Sequence, residues 1–199
     1  VKYLKKNQEK IYDSNYDENL LTGCLTIIDS NLKNISIESN HSHCEDALNI
    51  VRSKGSINEL NLKNSQFDLV DFDFSDIRIN KAVLSNSKND CLDFSYGNYF
   101  IEEITTSNCE DKALSVGEKS IIKVNNFIGF QNNLDVAIKD SSHIDLNNFS
   151  SNKTNEENCI SIYKKKQEFD GGTLSLNKKE FDCIITKDLY SKVILNVKK

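Results

Sequence analysis

The chain has 199 residues, with 30 Asp and Glu against 25 Lys and Arg and a formal charge of −5. That mild acidity argues against a dedicated nucleic-acid surface, which needs clustered basic side chains to meet phosphate. No apolar run nears the ~18–20 residues of a membrane helix. The basic start from Val1 to Lys6 lacks the apolar stretch of a signal peptide. Beginning at Val1 and containing no Met, the chain reads as a piece of a longer protein with other domains.

Residues 1–21 are polar, basic and then acidic, and fit no repeat, so a cap or linker is expected there. From residue 22 to 199 one β domain is expected. Alternating apolar pairs start at Leu25 and Ile27, then recur through Asp46-Ala-Leu-Asn-Ile-Val, Asp68-Leu-Val-Asp-Phe-Asp-Phe, Asp90-Cys-Leu-Asp-Phe and Asp111-Lys-Ala-Leu-Ser-Val. Leu48, Val70, Leu92, Leu114 and Val136 share a 22-residue period, and so do Ile50, Phe72, Phe94, Val116 and Ile138. Looser coils continue to Ile160 and Ile184, with insertions at 153–157 and 164–172. Strict period-2 alternation bounded by Asn, Ser and Gly predicts strands. A fixed period near 22 predicts a solenoid whose coils stack to bury what no single coil can bury.

A second apolar ladder follows in each coil, through Leu60/Leu62, Ala82/Leu84 and Ile104/Thr106, then Val124 or Asn126/Ile128, and Leu146. Asn64, Asn86, Asn108 and Asn152 fall at multiples of 22, with Phe130 interrupting. In coils stacked at about 4.8 Å such residues can form a structural asparagine ladder. Cys24, Cys91, Cys159 and Cys183 each precede an inward apolar residue, so they read as small hydrophobes. Cys159 and Cys183, one coil apart, could approach closely enough for a disulfide. With no C-x-x-C and three His, a structural zinc site is not expected.

This combination of short alternating strands, 22-residue coils and an Asn ladder resembles the right-handed, single-stranded parallel β-helix of the pectate-lyase-like superfamily. Glu45-Asp-Ala-Leu-Asn-Ile-Val-Arg-Ser, Asp93-Phe-Ser and Asp111-Lys-Ala-Leu-Ser-Val-Gly-Glu-Lys-Ser resemble more closely the β-helix regions of bacterial surface proteins, some with CotH-kinase-like modules. The resemblance covers roughly residues 25–165. It implies an all-β solenoid of about seven to eight coils and a secreted or cell-surface address. It carries over no catalytic residue. The Asn-Thr-Asp and Gly-His motifs of polygalacturonases are absent.

If the period-22 residues point inward, the residues between them point outward. The outward face then reads Asn49 and Val51, Asp71 and Asp73, Asp93 and Ser95, Ser115 and Gly117, with Lys139 one coil on and Arg52 at a coil exit. Strand geometry brings Asp71, Asp73 and Asp93 within about 5–7 Å of one another. Such carboxylates repel unless a proton or cation intervenes. Calcium, which takes several oxygen ligands, would suit Asp71, Asp73 and Asp93. Arg52 and Lys139 could meet a uronate or serve a lyase-like reaction. The bland alternative is a solvated acidic face that keeps the sheet soluble.

His41 and His43 read as turn residues, and the sequons at Asn34, Asn40, Asn148 and Asn152 as products of an Asn-rich composition. The function expected is a non-catalytic module that binds glycans or acts as a rigid spacer. The alternatives are a calcium-assisted polysaccharide-active enzyme on the acidic ladder, and a protein-interaction solenoid. A groove on the outward face walled by long loops would separate module from enzyme, and the short coils from 46 to 142 offer little length for walls.

Overall fold

The structure, a computed structural model, describes residues 21–177 and 181–196. The expected cap over 1–21 therefore lies outside the described residues, Leu21 apart. Among the described residues there is no helix, and hence none long and apolar enough to cross a membrane. Parallel strands stack into a β-solenoid of about 8 turns.

Each coil contributes to two ladders. The first ladder contains β1 (Gly23–Ile28), β3 (Asp46–Val51), the start of β5 (Asp68–Ser87), the start of β6 (Leu92–Cys109), β7 (Lys112–Gly117), β9 (Leu134–Lys139), β11 (Asn158–Tyr163) and β13 (Ile184–Lys187). The second contains β2 (Asn31–Ser42), β4 (Lys54–Ser65), the ends of β5 and β6, β8 (Ile121–Phe130), β10 (His143–Ser151), β12 (Thr173–Leu176) and β14 (Lys192–Leu195).

The predicted inward column pairs in register, Leu25 on Leu48, Leu48 on Val70, Val70 on Leu92, Leu114 on Val136 and Val136 on Ile160. Leu48, Val70, Leu92, Leu114, Val136 and Ile160 have no solvent exposure. Their partners two residues on stack as well, with Phe72 and Phe94 parallel at 5.1 Å and Tyr99 tilted against both. One assignment fails at the end of the stack. A register shift after Asn158 pairs Ile160 with Ile185, so Ile184 faces solvent at 40% exposure. The second ladder needs a similar correction. The step from Ile101 to Val124 is 23 residues, which seats Phe127 beneath Ile104 and places Leu146 beside Val124. Phe127, not Asn126 or Ile128, is the inward residue there.

Corners turn through left-handed backbone. Asn64, Asn86 and Asn108 take φ of 62°, 58° and 55°, a region Asn tolerates better than other side chains. Their side-chain amides form the expected ladder, Asn64 donating to Asn40 at 2.7 Å, Asn86 to Asn64 at 3.0 Å and Asn108 to Asn86 at 3.0 Å. The ladder is exposed rather than buried. Asn152 meets it differently: because of the longer coil step, its Oδ1 accepts from the Gln131 backbone N–H at 2.9 Å. A second ladder went unread in the sequence, Asn147 donating to Asn125 at 2.6 Å, Asn177 to Asn147, and Asn196 to Asn177 at 3.2 Å.

The cysteines are the main correction. All six are paired, as Cys24–Cys44, Cys91–Cys109 and Cys159–Cys183. Cys91, Cys109 and Cys159 are fully buried, so they fill the core as small hydrophobes do. They are nonetheless cross-links. Two staple the beginning of a coil to its own end, and Cys159–Cys183 ties adjacent coils.

Replacing Cys91 and Cys109 together by Ala is expected to cost about 3 kcal/mol, the loop-closure entropy of a loop this short. Denaturant melts of parent and variant, with and without reductant, measure it. Asn86→Ala breaks two ladder bonds and loses the left-handed preference of Asn. Its exposure limits the expected cost to about 1 kcal/mol, and Asn86→Gly, which keeps the backbone preference, should recover part of that in thermal melts.

Candidate functional site

The outward face of the first ladder holds the predicted cluster, since register sets Asn49 on Asp71, Asp71 on Asp93, and Asp73 on Ser95. Asn49 is only 4% exposed and Ser115 wholly buried, so this is not a freely solvated face. The Asn49 amide bridges two carboxylates, donating to Asp71 at 3.2 Å and Asp73 at 3.3 Å. Burial, and then the neighbouring Asp73 charge, push Asp71 well above the usual carboxylate range. Asp73 is also raised by burial, but hydrogen bonds from Asn49 and Asp71 oppose the shift. Burial and mutual charge thus press both carboxyls toward their protonated forms, Asp71 more strongly.

Asp93 turns aside. Its Oδ1 accepts from the Phe94 backbone N–H at 2.9 Å and lies 3.9 Å from the Lys139 ammonium. Lys139, 4% exposed, donates to Ser115 at 2.8 Å. It lies across Gly117, where a Cβ would come within 2.9 Å of Lys139 Cε. Among the described residues no three His, Cys, Asp or Glu side chains converge as a metal-holding group. Asp71, Asp73 and Asp93, at which calcium was expected, keep their places on adjacent coils, with the Lys139 ammonium bordering Asp93.

Arg52 stands at its coil exit and turns toward the preceding coil. Its guanidinium forms a two-pronged pair with Asp29 at 2.8 and 2.9 Å on the exposed corner, one coil toward the N-terminal side. Ser95 donates to Glu118 at 2.5 Å, and Glu118 also pairs with Lys166. Those two bonds outweigh burial and hold Glu118 below its ordinary range.

Further parts of this face were missed in the sequence. Asp46, Asp68 and Asp90, which read there as coil starts, form a second carboxylate column by register and by a backbone bond, Asp90 N–H donating to Asp68 Oδ1 at 2.7 Å. Burial leads in raising all three. Asp68, with Asp90 adding to it, is pushed up to about 8, while Asp46 and Asp90 are pushed up to about 6. Lys112 offsets part of this, 3.2 Å from Asp90. The repeated Asp at each coil start was visible, but its burial was not.

At the corner beside the cluster the column reads Arg52, Phe74, Tyr96 and Glu118, all at positive φ between 39° and 57°. Left-handed backbone is costly for a bulky side chain, and such strain is a pointer to function. Phe74 is 57% exposed and stacks on Tyr96 at 4.6 Å with 10° between the rings. The buried Tyr99 hydroxyl donates to the Tyr96 carbonyl at 2.6 Å and fixes the turn. Gly97 follows at φ 101°, where a Cβ would meet the Ser75 carbonyl oxygen at 2.0 Å.

The insertion at 164–172 folds back to this corner and supplies a wall that the short coils do not. The N–H groups of Lys165 and Lys166 both donate to Asp140 Oδ1 at 2.8 Å, and Asp170 N–H donates to Ser141 at 2.9 Å. Phe169 sits edge-on to Tyr96 at 6.5 Å, with the Lys119 ammonium over its ring at 5.8 Å. A recess of about 390 Å³ at the far end of the face is lined by Lys112, Leu134, Ser161, Tyr163 and Lys187.

The fold and site together define a parallel β-solenoid with an acidic outward face, an aromatic stack of exposed Phe74 on half-buried Tyr96, and a loop wall beside it. No protein-family model, no curated protein and no solved structure matches the chain.

The carboxylates make a signed prediction about pH. Unfolded Asp titrates near 3.9, whereas folded Asp46 and Asp90 titrate at about 6 and Asp68 at about 8. The folded chain binds more protons, so its stability is greatest below the unfolded value and falls as pH rises through the folded ones. The melting temperature should therefore drop between about pH 5 and pH 8, and Asp68→Asn should flatten that slope. Melts across this range check both.

Proposed function

We propose that the chain is a non-catalytic β-helix module of a bacterial secreted or cell-surface protein, and that it binds glycans on the outward face of its first ladder. The observation that carries this reading is the stack of exposed Phe74 on half-buried Tyr96, beside the acidic cluster and flanked by the 164–172 wall. An aromatic face is electron-rich and takes the polarised C–H face of a sugar ring, while adjacent polar groups fix its hydroxyls. The backbone strain at Phe74 and Tyr96 supports it, because Asn fills the equivalent turn of the second ladder at lower cost. Rigid stacking offers a preorganised platform, which limits the ordering cost of binding.

Three disulfides fit an oxidising compartment. The pectate-lyase-like appearance of the coils supports the bacterial surface origin only by resemblance. The lyase-like alternative is the less favoured reading, since Arg52 pairs with Asp29 and Lys139 is buried on Ser115.

A glycan array probed with the parent and with the double variant Phe74→Ala, Tyr96→Ala tests the reading. The parent should bind at least one oligosaccharide class without shortening it. The variant should lose roughly tenfold or more in affinity, about 1.4 kcal/mol, while melting near the parent. Equal binding by both would reject this site, and depolymerisation by the parent would reject the non-catalytic reading.

A further inference from the structure

The two ends of the stack carry strand edges that pair on one side only. Among the described residues β1 pairs with β3 and β2 with β4 at one end, and β13 pairs with β11 and β14 with β12 at the other. An edge of free N–H and C=O groups is a template for another strand. On a solenoid the strand that fits best belongs to one more coil in the same register, because every column is built to repeat.

The first coil of a second copy would meet the last described coil column for column. Followed through the register, Leu25 heads the column that ends at Ile185, Leu32 the one that ends at Val193, and Ile35 the one that ends at Leu195. Leu25 is 36% exposed and Leu195 54%, whereas Leu48, Val70 and Ile101 inside these columns are closed to solvent. Three apolar columns thus reach both ends ready to continue. A fourth does not. It runs through Ile27, Ile50, Phe72, Phe94, Val116, Ile138 and Ile162, all apolar, and ends on Lys187. The register shift after Asn158 that turns Ile184 out is the one that brings Lys187 into this column. Lys187 is exposed, and its ammonium donates to the Asp188 carbonyl at 3.4 Å.

A coil laid on this end would set Lys187 between Ile162 and Ile27, its column neighbours in strands about 4.8 Å to either side. Enclosing a charge among apolar side chains is strongly unfavourable, and an inward-pointing charge on an edge strand keeps other chains from pairing there. We propose that the C-terminal end of the stack fits the first coil of a second copy, and that Lys187 is the stop that keeps the two apart. The charge in this one column, not the shape of the edge, holds the chain to a single stack. Without it the contact joins unlike ends, so it does not close on itself and each added copy presents a new free end.

Analytical ultracentrifugation of the whole chain and two variants, over a range of concentrations, tests it. The parent should sediment as a monomer of 22.6 kDa throughout. Lys187→Ile should give a mean mass that climbs with concentration past that of a dimer. Lys187→Glu, which keeps a charge in the column, should stay monomeric. Lys187 is exposed, so both variants should melt near the parent. Excess parent has an intact first coil and a guarded last one, so adding it to Lys187→Ile should cap the growing assemblies and lower their mean mass. Association of the parent by itself, a monomeric Lys187→Ile, an associating Lys187→Glu, or assemblies that excess parent leaves unchanged would each overturn the inference.

Discussion

In-register parallel stacking is the constraint on which this molecule depends. Each residue sits about 4.8 Å from its equivalent in the next coil, so whatever a column contains is multiplied up the stack. For Leu48, Val70, Leu92 and Leu114 the result is a continuous dry core. For Asn64, Asn86 and Asn108 it is a chain of amides, in which Asn64 and Asn86 are each both donor and acceptor. Asn suits the ladder because its side chain is self-complementary.

Aspartate is not self-complementary, and the same rule places carboxylate on carboxylate at Asp46, Asp68 and Asp90 and again at Asp71 and Asp93. The fold meets this frustration in three ways. The amide of Asn49 bridges Asp71 and Asp73, the ammonium groups of Lys112 and Lys139 approach Asp90 and Asp93, and burial raises Asp68 and Asp71 toward their uncharged forms. The result is an acidic face whose buried carboxyls are pressed toward their protonated forms. The aromatic pair stands next to it at a corner whose backbone is strained to present it. Structure and chemistry therefore converge on one edge of one ladder.

The loop at 164–172 shows how a solenoid gains a wall beside one corner without breaking its repeat. The coils that carry Asp71, Phe74, Asp93 and Tyr96 have no spare residues for a wall. The wall comes instead from a later coil and reaches back through Asp140, Ser141 and Glu118. Stacking in the regular coils remains intact, and the insertion is accommodated where the period has already loosened.

The sequence by itself determined the strands, the period, the inward columns, the Asn ladder in three of its four predicted members, and the grouping of Asp71, Asp73 and Asp93. These follow from alternation and a fixed step, which are properties of neighbours along the chain and of equal positions in successive coils. Only the tertiary structure decided what joins unequal positions. Cys91 and Cys109 lie at opposite ends of one coil, so a search along columns sees Cys91 as another apolar residue and never its partner. Phe74 and Tyr96 stood 22 residues apart in plain view, yet their meaning depended on a left-handed corner that turns them out of the core. Arg52 was read as flanking the carboxylates from a coil exit, and there it pairs with Asp29 of the preceding coil. Protonation was the least legible property, because it depends on how much water each carboxyl loses, and burial is set by the whole stack and not by any one coil.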